Sequence, residues 1–142
     1  MSKKYESGED ILDLVHAFER ASVPRDEWKH AEHLIVALYY VSHYDIETAT
    51  EKMRSGILNL LANGFNVDLA KEMPYHETIT VFWIRTIAAF QASSNGKPIA
   101  EKIVEMVKRF DKEYLLSFYT RERLFSDEAR ARYIEPDLVV TH

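Results

Sequence analysis

Leu34-Ile35-Val36-Ala37-Leu38-Tyr39-Tyr40-Val41 is the longest unbroken apolar run in the chain. It falls far short of the roughly 20 residues that a membrane span needs. The spacing around it predicts a helix from near Asp26 to about His43. A helix apolar on nearly every side is buried on several sides, which puts this one at the centre of a bundle. A second stretch of the same kind, Val81-Phe82-Trp83-Ile84, lies in a helix predicted to start around Pro74-Tyr75 and run to about Ala92. Proline suits its first turn, and Ser93-Ser94-Asn95-Gly96 stops it. These two helices are the expected inner pair.

Helices are read outward from that pair in both directions. Ile11, Leu14, Val15 and Phe18 recur at helical spacing between Glu9 and Arg20, with Ser7 and Asp10 resembling a capping box. Pro24 breaks that pattern and pushes Val23 towards an extended conformation. A third helix follows the cap Asp45 and ends near Asn63-Gly64, with Gly64 expected in the left-handed conformation of a helix stop. Its predicted buried stripe is Ile46, Ala49, Met53, Ile57, Leu60 and Leu61, with Glu51, Lys52 and Arg54 on the wet side. Residues 66–74 read as a connector.

Pro98 opens a fifth helix through Ile103 and Phe110, and Asp111 caps a sixth with Tyr114, Leu115, Phe118 and Tyr119 in the core. Ser126-Asp127-Glu128 starts a last turn. The tail from Pro136 is expected to be irregular, draped over the bundle through Leu138 and Val139. No run alternates with period 2. The expectation is an all-α, single-domain helical bundle of about five to seven helices over residues 1–142, with 1–8 and 136–142 irregular.

Composition agrees. The chain has 142 residues, 46% hydrophobic and 29% charged, with only 4 Gly and 4 Pro. That is the balance of one globular domain and not of a disordered chain. There are no cysteines, so disulfides, thiolate metal sites and cysteine nucleophiles are excluded. The net charge is −5 and no segment carries a basic stripe, so nucleic acid is not an expected partner. Met1-Ser2-Lys3-Lys4-Tyr5-Glu6 turns acidic where an export signal turns apolar. A cytoplasmic location without a membrane partner is therefore expected.

Two short motifs carry the candidate chemistry. Trp28-Lys29-His30-Ala31-Glu32-His33-Leu34 and Tyr75-His76-Glu77-Thr78-Ile79-Thr80 each open one of the two most apolar helices. On a helix His30 and His33 lie about 60° apart and one turn apart, close enough for two imidazoles to share one ion. They head an inward stripe with Ala37, Tyr40, Val41 and Tyr44. His76 heads a face with Thr80, Trp83, Ile87 and Phe90, and Glu77 lies about 100° round from it. If the two helices face each other, His30, His33, His76 and Glu77 converge on one divalent metal ion. Imidazoles and a carboxylate without sulfur suit zinc, iron, nickel or manganese. An open position on such a metal would acidify a water or bind a small organic substrate. Without a metal, His76 or Glu77 would serve as a general acid or base.

The structural reading of the same residues is equally direct. His30 and His33 can be core histidines bonded to backbone carbonyls. Glu77 in a first turn is favoured by the helix dipole with no further role. The chain is then a non-catalytic interaction or dimerisation module. Among the other candidates, His16 is expected on the surface and His43 at a helix C-terminus. Arg85 is expected to pair with Glu101 or Glu105. Arg121, Arg123, Arg130 and Arg132, alternating with Glu122, Glu128 and Glu135, look like a solvated, ion-paired surface.

The motifs, with Ser126, Ala129 and Arg130 and with Glu135-Pro136-Asp137-Leu138 downstream, resemble those of an uncharacterised family of small helical bacterial proteins. The family pattern is Trp-x-His-x-x-His-Leu, Tyr-His-Glu-Thr-x-Thr and a Ser…Ala-Arg…Glu-Pro-Asp-Leu ending. The resemblance covers roughly residues 25–139. It implies a shared site and supplies no reaction. Should the tail fold back, Ser126 and Arg130 would approach the same pocket. The expected partners are a small polar molecule or, in a homodimer, a second copy of the chain.

Overall fold

The computed structural model describes residues 5–138. Five longer helices are α1 (Gly8–Glu19), α2 (His30–His43), α3 (Ile46–Asn59), α4 (Glu77–Ser93) and α5 (Ile99–Arg109). Two single-turn helices follow, α6 (Arg121–Leu124) and α7 (Asp127–Ala131). No strand occurs among the described residues. The chain is an all-α, single-domain bundle, as expected.

The inner pair is α2 and α4, which pack against each other more extensively than any other two helices. α2 buries Leu34, Ile35, Val36, Ala37, Leu38 and Tyr40. α4 buries Val81, Phe82, Trp83, Ile84, Ile87 and Phe90. α2 is covered on every side up to Val41, and α4 leaves only the strip Arg85, Ala89 and Ala92 and its last residue, Ser93, exposed, which is why neither shows a narrow apolar stripe in sequence. α1 and α3 lie close together at one point, where a Cβ on Gly56 would stand 2.2 Å from the Phe18 ring. Only a glycine admits that approach.

The helix starts differ from the sequence reading. Pro24 is extended and Arg25–Glu27 form one 3₁₀ turn. Trp28 leaves it in an extended conformation and stacks on Phe18 at 5.0 Å between centroids. α2 therefore begins at His30, not near Asp26. α4 begins at Glu77, because His76 is extended (φ −135°) and caps the helix from outside. α1 begins at Gly8, capped by the reciprocal bonds of Ser7 and Asp10.

Two expectations about α3 fail. Ile46, placed in the buried stripe, is 48% exposed, because the first turn of α3 projects beyond the core that Ala49 and Met53 enter. α3 runs on into a wider π-type turn over Leu60–Gly64, and the left-handed residue after it is Asn66 (φ 57°), not Gly64. Gly64 serves another need: a Cβ there would stand 2.7 Å from the Ala21 carbonyl oxygen.

Lys112–Ser117 form a 3₁₀ segment that brings Leu115 into the core, with Tyr119 buried just beyond it. The chain after α7 is strapped to the bundle. Tyr119 Oη donates to the Ile134 carbonyl at 2.6 Å. The Asp137 carboxylate accepts from the backbone N–H and hydroxyl of Thr120. Leu138 N–H donates to the Phe118 carbonyl at 2.9 Å. The expected drape is thus present up to Leu138, and Val139 lies outside the described residues.

Candidate functional site

His30 heads α2 with its ring edge-on to Trp83, 5.1 Å between centroids. Its Nε2–H donates to the Phe110 carbonyl at 2.7 Å. That bond ties the start of α2 to the end of α5. His33, one turn further, stacks on Trp28 at 6.1 Å. Its Nε2 is shut off from solvent and has no hydrogen-bond partner. Burial, with the neighbouring His30, holds its pKa down to about 4. The imidazole is neutral across the physiological range.

His76 occupies a different part of the fold. Trp83, which touches His30, stands seven residues further along, or roughly 10 Å of helix. Ile79 N–H donates to His76 Nδ1 at 3.2 Å, and His76 Nε2–H donates to the Leu124 carbonyl at 2.6 Å. Both ring nitrogens are therefore engaged and one neutral tautomer is fixed. Burial lowers the His76 pKa, the Leu124 bond opposes that, and the Arg130 charge adds to the lowering. Thr80 donates its hydroxyl to the His76 carbonyl at 3.1 Å. Thr78 donates to the Arg132 carbonyl and accepts from Ile134 N–H. This motif thus clamps α6, α7 and the C-terminal strap onto the inner helix.

Glu77 turns away from all three histidines. Its carboxylate accepts a two-pronged bond from Arg54, Nε at 2.9 Å and Nη2 at 2.6 Å, and a third bond from Tyr75 Oη at 2.6 Å. The Arg54 guanidinium, assisted by Tyr75, holds the Glu77 carboxyl below the usual carboxylate range against the opposing effect of burial. Among the described residues no three His, Asp or Glu side chains gather as a metal-binding group. The expected quartet is therefore divided: His30 and His33 are neighbours, His76 caps α4, and Glu77 belongs to an Arg54–Tyr75 network.

The space beside Glu77 is the more open feature. A cavity of about 630 Å³ is lined by Tyr75, Glu77, Arg54, Asp127 and Arg130, with Leu58 and Met73 on its apolar wall. A neighbouring cavity of about 610 Å³ shares Arg54 and Tyr133 with it and continues past Arg85 to Ile46. Arg85 lies over the Tyr133 ring at 4.4 Å and does not pair with Glu101 or Glu105; Glu105 is bonded by Lys97. Arg130 does reach the Glu77 cavity, as folding back of the tail implied. Ser126 does not act there: its hydroxyl caps α7 by accepting from Ala129 N–H and donates to the Arg123 carbonyl. Arg54 is the residue the sequence reading missed. It was placed on a wet face, and its partner lies 23 residues away, so no local spacing announces the pair.

His16 is exposed, as expected. His43, in the last turn of α2, bonds the Tyr39 carbonyl at 2.9 Å. No helix among the described residues is long and apolar enough to cross a membrane. Comparison of the chain with known protein families, with curated proteins and with solved structures found no match.

Proposed function

We propose that the chain is a non-catalytic helical binding module in which the motif histidines are structural. The observation that carries this reading is the complete engagement of the Tyr75–Thr80 motif. His76 uses one nitrogen as acceptor and the other as donor, and Glu77 accepts three bonds. A metal ligand offers an unprotonated nitrogen lone pair. Ligation through His76 would break either the cap of α4 or its tie to α6. A general base needs a free lone pair in reach of substrate, and a general acid needs a proton not already held by a carbonyl. Neither is available at His76.

A second reading rests on His33. Its buried, unpartnered Nε2 is the one feature that favours an ion, and His30 beside it keeps Nδ1 unprotonated while Nε2–H is bonded to Phe110. On this reading zinc, iron, nickel or manganese is held by His30 and His33 at the α2 end alone. Elemental analysis of protein purified without a histidine tag separates the two. The binding-module reading expects metal well below one per chain and no rise in melting temperature with added zinc. Stoichiometric metal that is lost in His33→Ala would overturn it, because a ligand of the folded state alone stabilises that state.

A further inference from the structure

We propose that the cleft between α3, the start of α4 and α7 binds a small organic anion, a carboxylate or phosphate on an apolar body, with Arg130 as its anchoring cation. The proposal extends the binding-module reading to a ligand, and the two fail separately: metal analysis bears on the histidines, the experiment below on the cleft.

The first support is Arg130 itself. It is half-buried, yet its side chain has no hydrogen bond or ion pair among the described residues. The other two arginines lining the cavity are both paired, Arg54 with Glu77 and Arg132 with Glu128. A guanidinium carries five N–H donors in a planar fork matched to carboxylate and phosphate oxygens. Partial burial strips some water from such a group, and a carboxylate or phosphate replaces it with two parallel, charge-assisted bonds. Arg130 lines the cavity together with Tyr75, Glu77 and Arg54.

The second support is the frame. Arg54, Glu77 and Tyr75 hold one another through three bonds of 2.6 to 2.9 Å, so that wall is fixed before any ligand arrives. Glu77 is neutralised by Arg54 and does not repel an anion at Arg130. Asp127, on the first turn of α7, is the remaining carboxylate; it is exposed and forms no ion pair with Arg130. Arg54 and Arg132 are each balanced by a carboxylate, Glu77 and Glu128, which leaves Arg130 as the lining cation without an ion-pair partner among the described residues.

The third support is size and polarity. A volume of about 630 Å³ falls in the range of small-molecule sites. Leu58 and Met73 supply an apolar wall, and Met73 is 51% exposed, an unbranched side chain free to settle on a ligand.

Calorimetric titration of the full chain with benzoate, phenyl phosphate and benzylamine tests this. One or both anions are expected to bind saturably with a Kd of about 1 mM or below, and benzylamine is not. Stronger binding of benzoate assigns a carboxylate ligand, and stronger binding of phenyl phosphate a phosphate ester. Arg130→Met should weaken the anion about tenfold or more, and Arg130→Lys by less, because it keeps the charge and loses the fork. Both variants should melt with the parent protein, since the Arg130 side chain bonds nothing in the fold. Arg121→Met, on exposed α6 outside the cleft, should bind as the parent does. Absence of saturable anion binding up to about 10 mM would overturn the proposal. So would unchanged affinity in folded Arg130→Met, or benzylamine binding as tightly as the anions.

Discussion

At the start of α4 every side-chain polar atom of His76 and Glu77 meets a partner within the protein, whereas at the start of α2 His33 keeps a buried nitrogen with none. Both segments join histidine to carboxylate beside an aromatic residue at the head of an apolar helix. The difference lies in what packs on them. α6, α7 and the strap bring the Leu124 and Arg132 carbonyls to the α4 motif, and α3 brings Arg54. In the α2 motif Glu32 accepts from Tyr5 Oη and Lys29 N–H, but the two histidines are covered by rings, Trp28 and Trp83, with one carbonyl, from Phe110, bonded by His30. The imidazole nitrogens that meet a backbone group become fasteners, and His33 Nε2, which meets none, stays unpaired.

The sharpest way to break this comparison is to remove the fastener. His76→Ala deletes the side-chain cap of α4 and leaves the Leu124 carbonyl without its donor. Loss of a cap and of a buried partner together should cost about 2–4 kcal/mol, read from urea denaturation. His76→Asn, a good capping residue too short for Leu124, should recover part of that loss. A loss under about 0.5 kcal/mol in His76→Ala would mean that the ring holds nothing together.

The next effect is a pH dependence at the other motif. His33 has a folded pKa of about 4, below its unfolded value of 6.5. Between those values the unfolded chain binds the proton more readily, so stability rises with pH from about 4 to 6.5 and holds its full value above. The span corresponds to roughly 3–4 kcal/mol at most. His33→Leu should flatten that slope, with the difference between parent and variant confined to this window. A slope unchanged in the variant would assign the titration to other groups.

Much of the fold was legible because burial leaves a local trace. Leu34–Val41 and Val81–Ile84 mark the inner helices without reference to any other part of the chain. The helix starts were less legible. His76 reads as a first-turn residue after Pro74, and its role as a cap depends on an extended backbone that α6 and α7 hold from a distance. The site was least legible of all. The helical arithmetic that put His76 on a face with Trp83 assumes that His76 is helical, and it is not. Glu77 has no sequence-local hint of Arg54, and Arg130 reads both as a surface arginine and, should the tail fold back, as a neighbour of the site; only the packed α7 decides for the second.

A smaller effect sharpens the α4 side. Glu77→Gln keeps the shape of the side chain and removes the charge that Arg54 and Tyr75 bond. The pair is partly exposed, 36% at Arg54 and 14% at Glu77, so the expected cost is about 1–2 kcal/mol, between surface and buried pairs. Because Arg54 holds the Glu77 carboxyl below its ordinary range, this contribution is present above the unfolded carboxylate pKa and is lost as pH falls through the folded one. The loss lies on the acid side of the His33 window, and the two are separable in one set of denaturation curves.

The smallest expected effect calibrates the rest. His16 sits on α1 with its ring in solvent, between the buried Val15 and the half-buried Ala17. It lies in the last turn of the helix, where a basic side chain faces the negative end of the helix dipole. An exposed charge there contributes a few tenths of a kcal/mol at low salt and less as salt rises. His16→Ala also exchanges a moderate helix former for the best one, which works in the opposite direction. The net change should fall within about 0.5 kcal/mol at pH 7, read from urea denaturation. A change at His16 as large as at His76 or His33 would show that these histidines act through charge alone, and that the contrast between a bonded ring and an unpaired one is not what separates the two motifs.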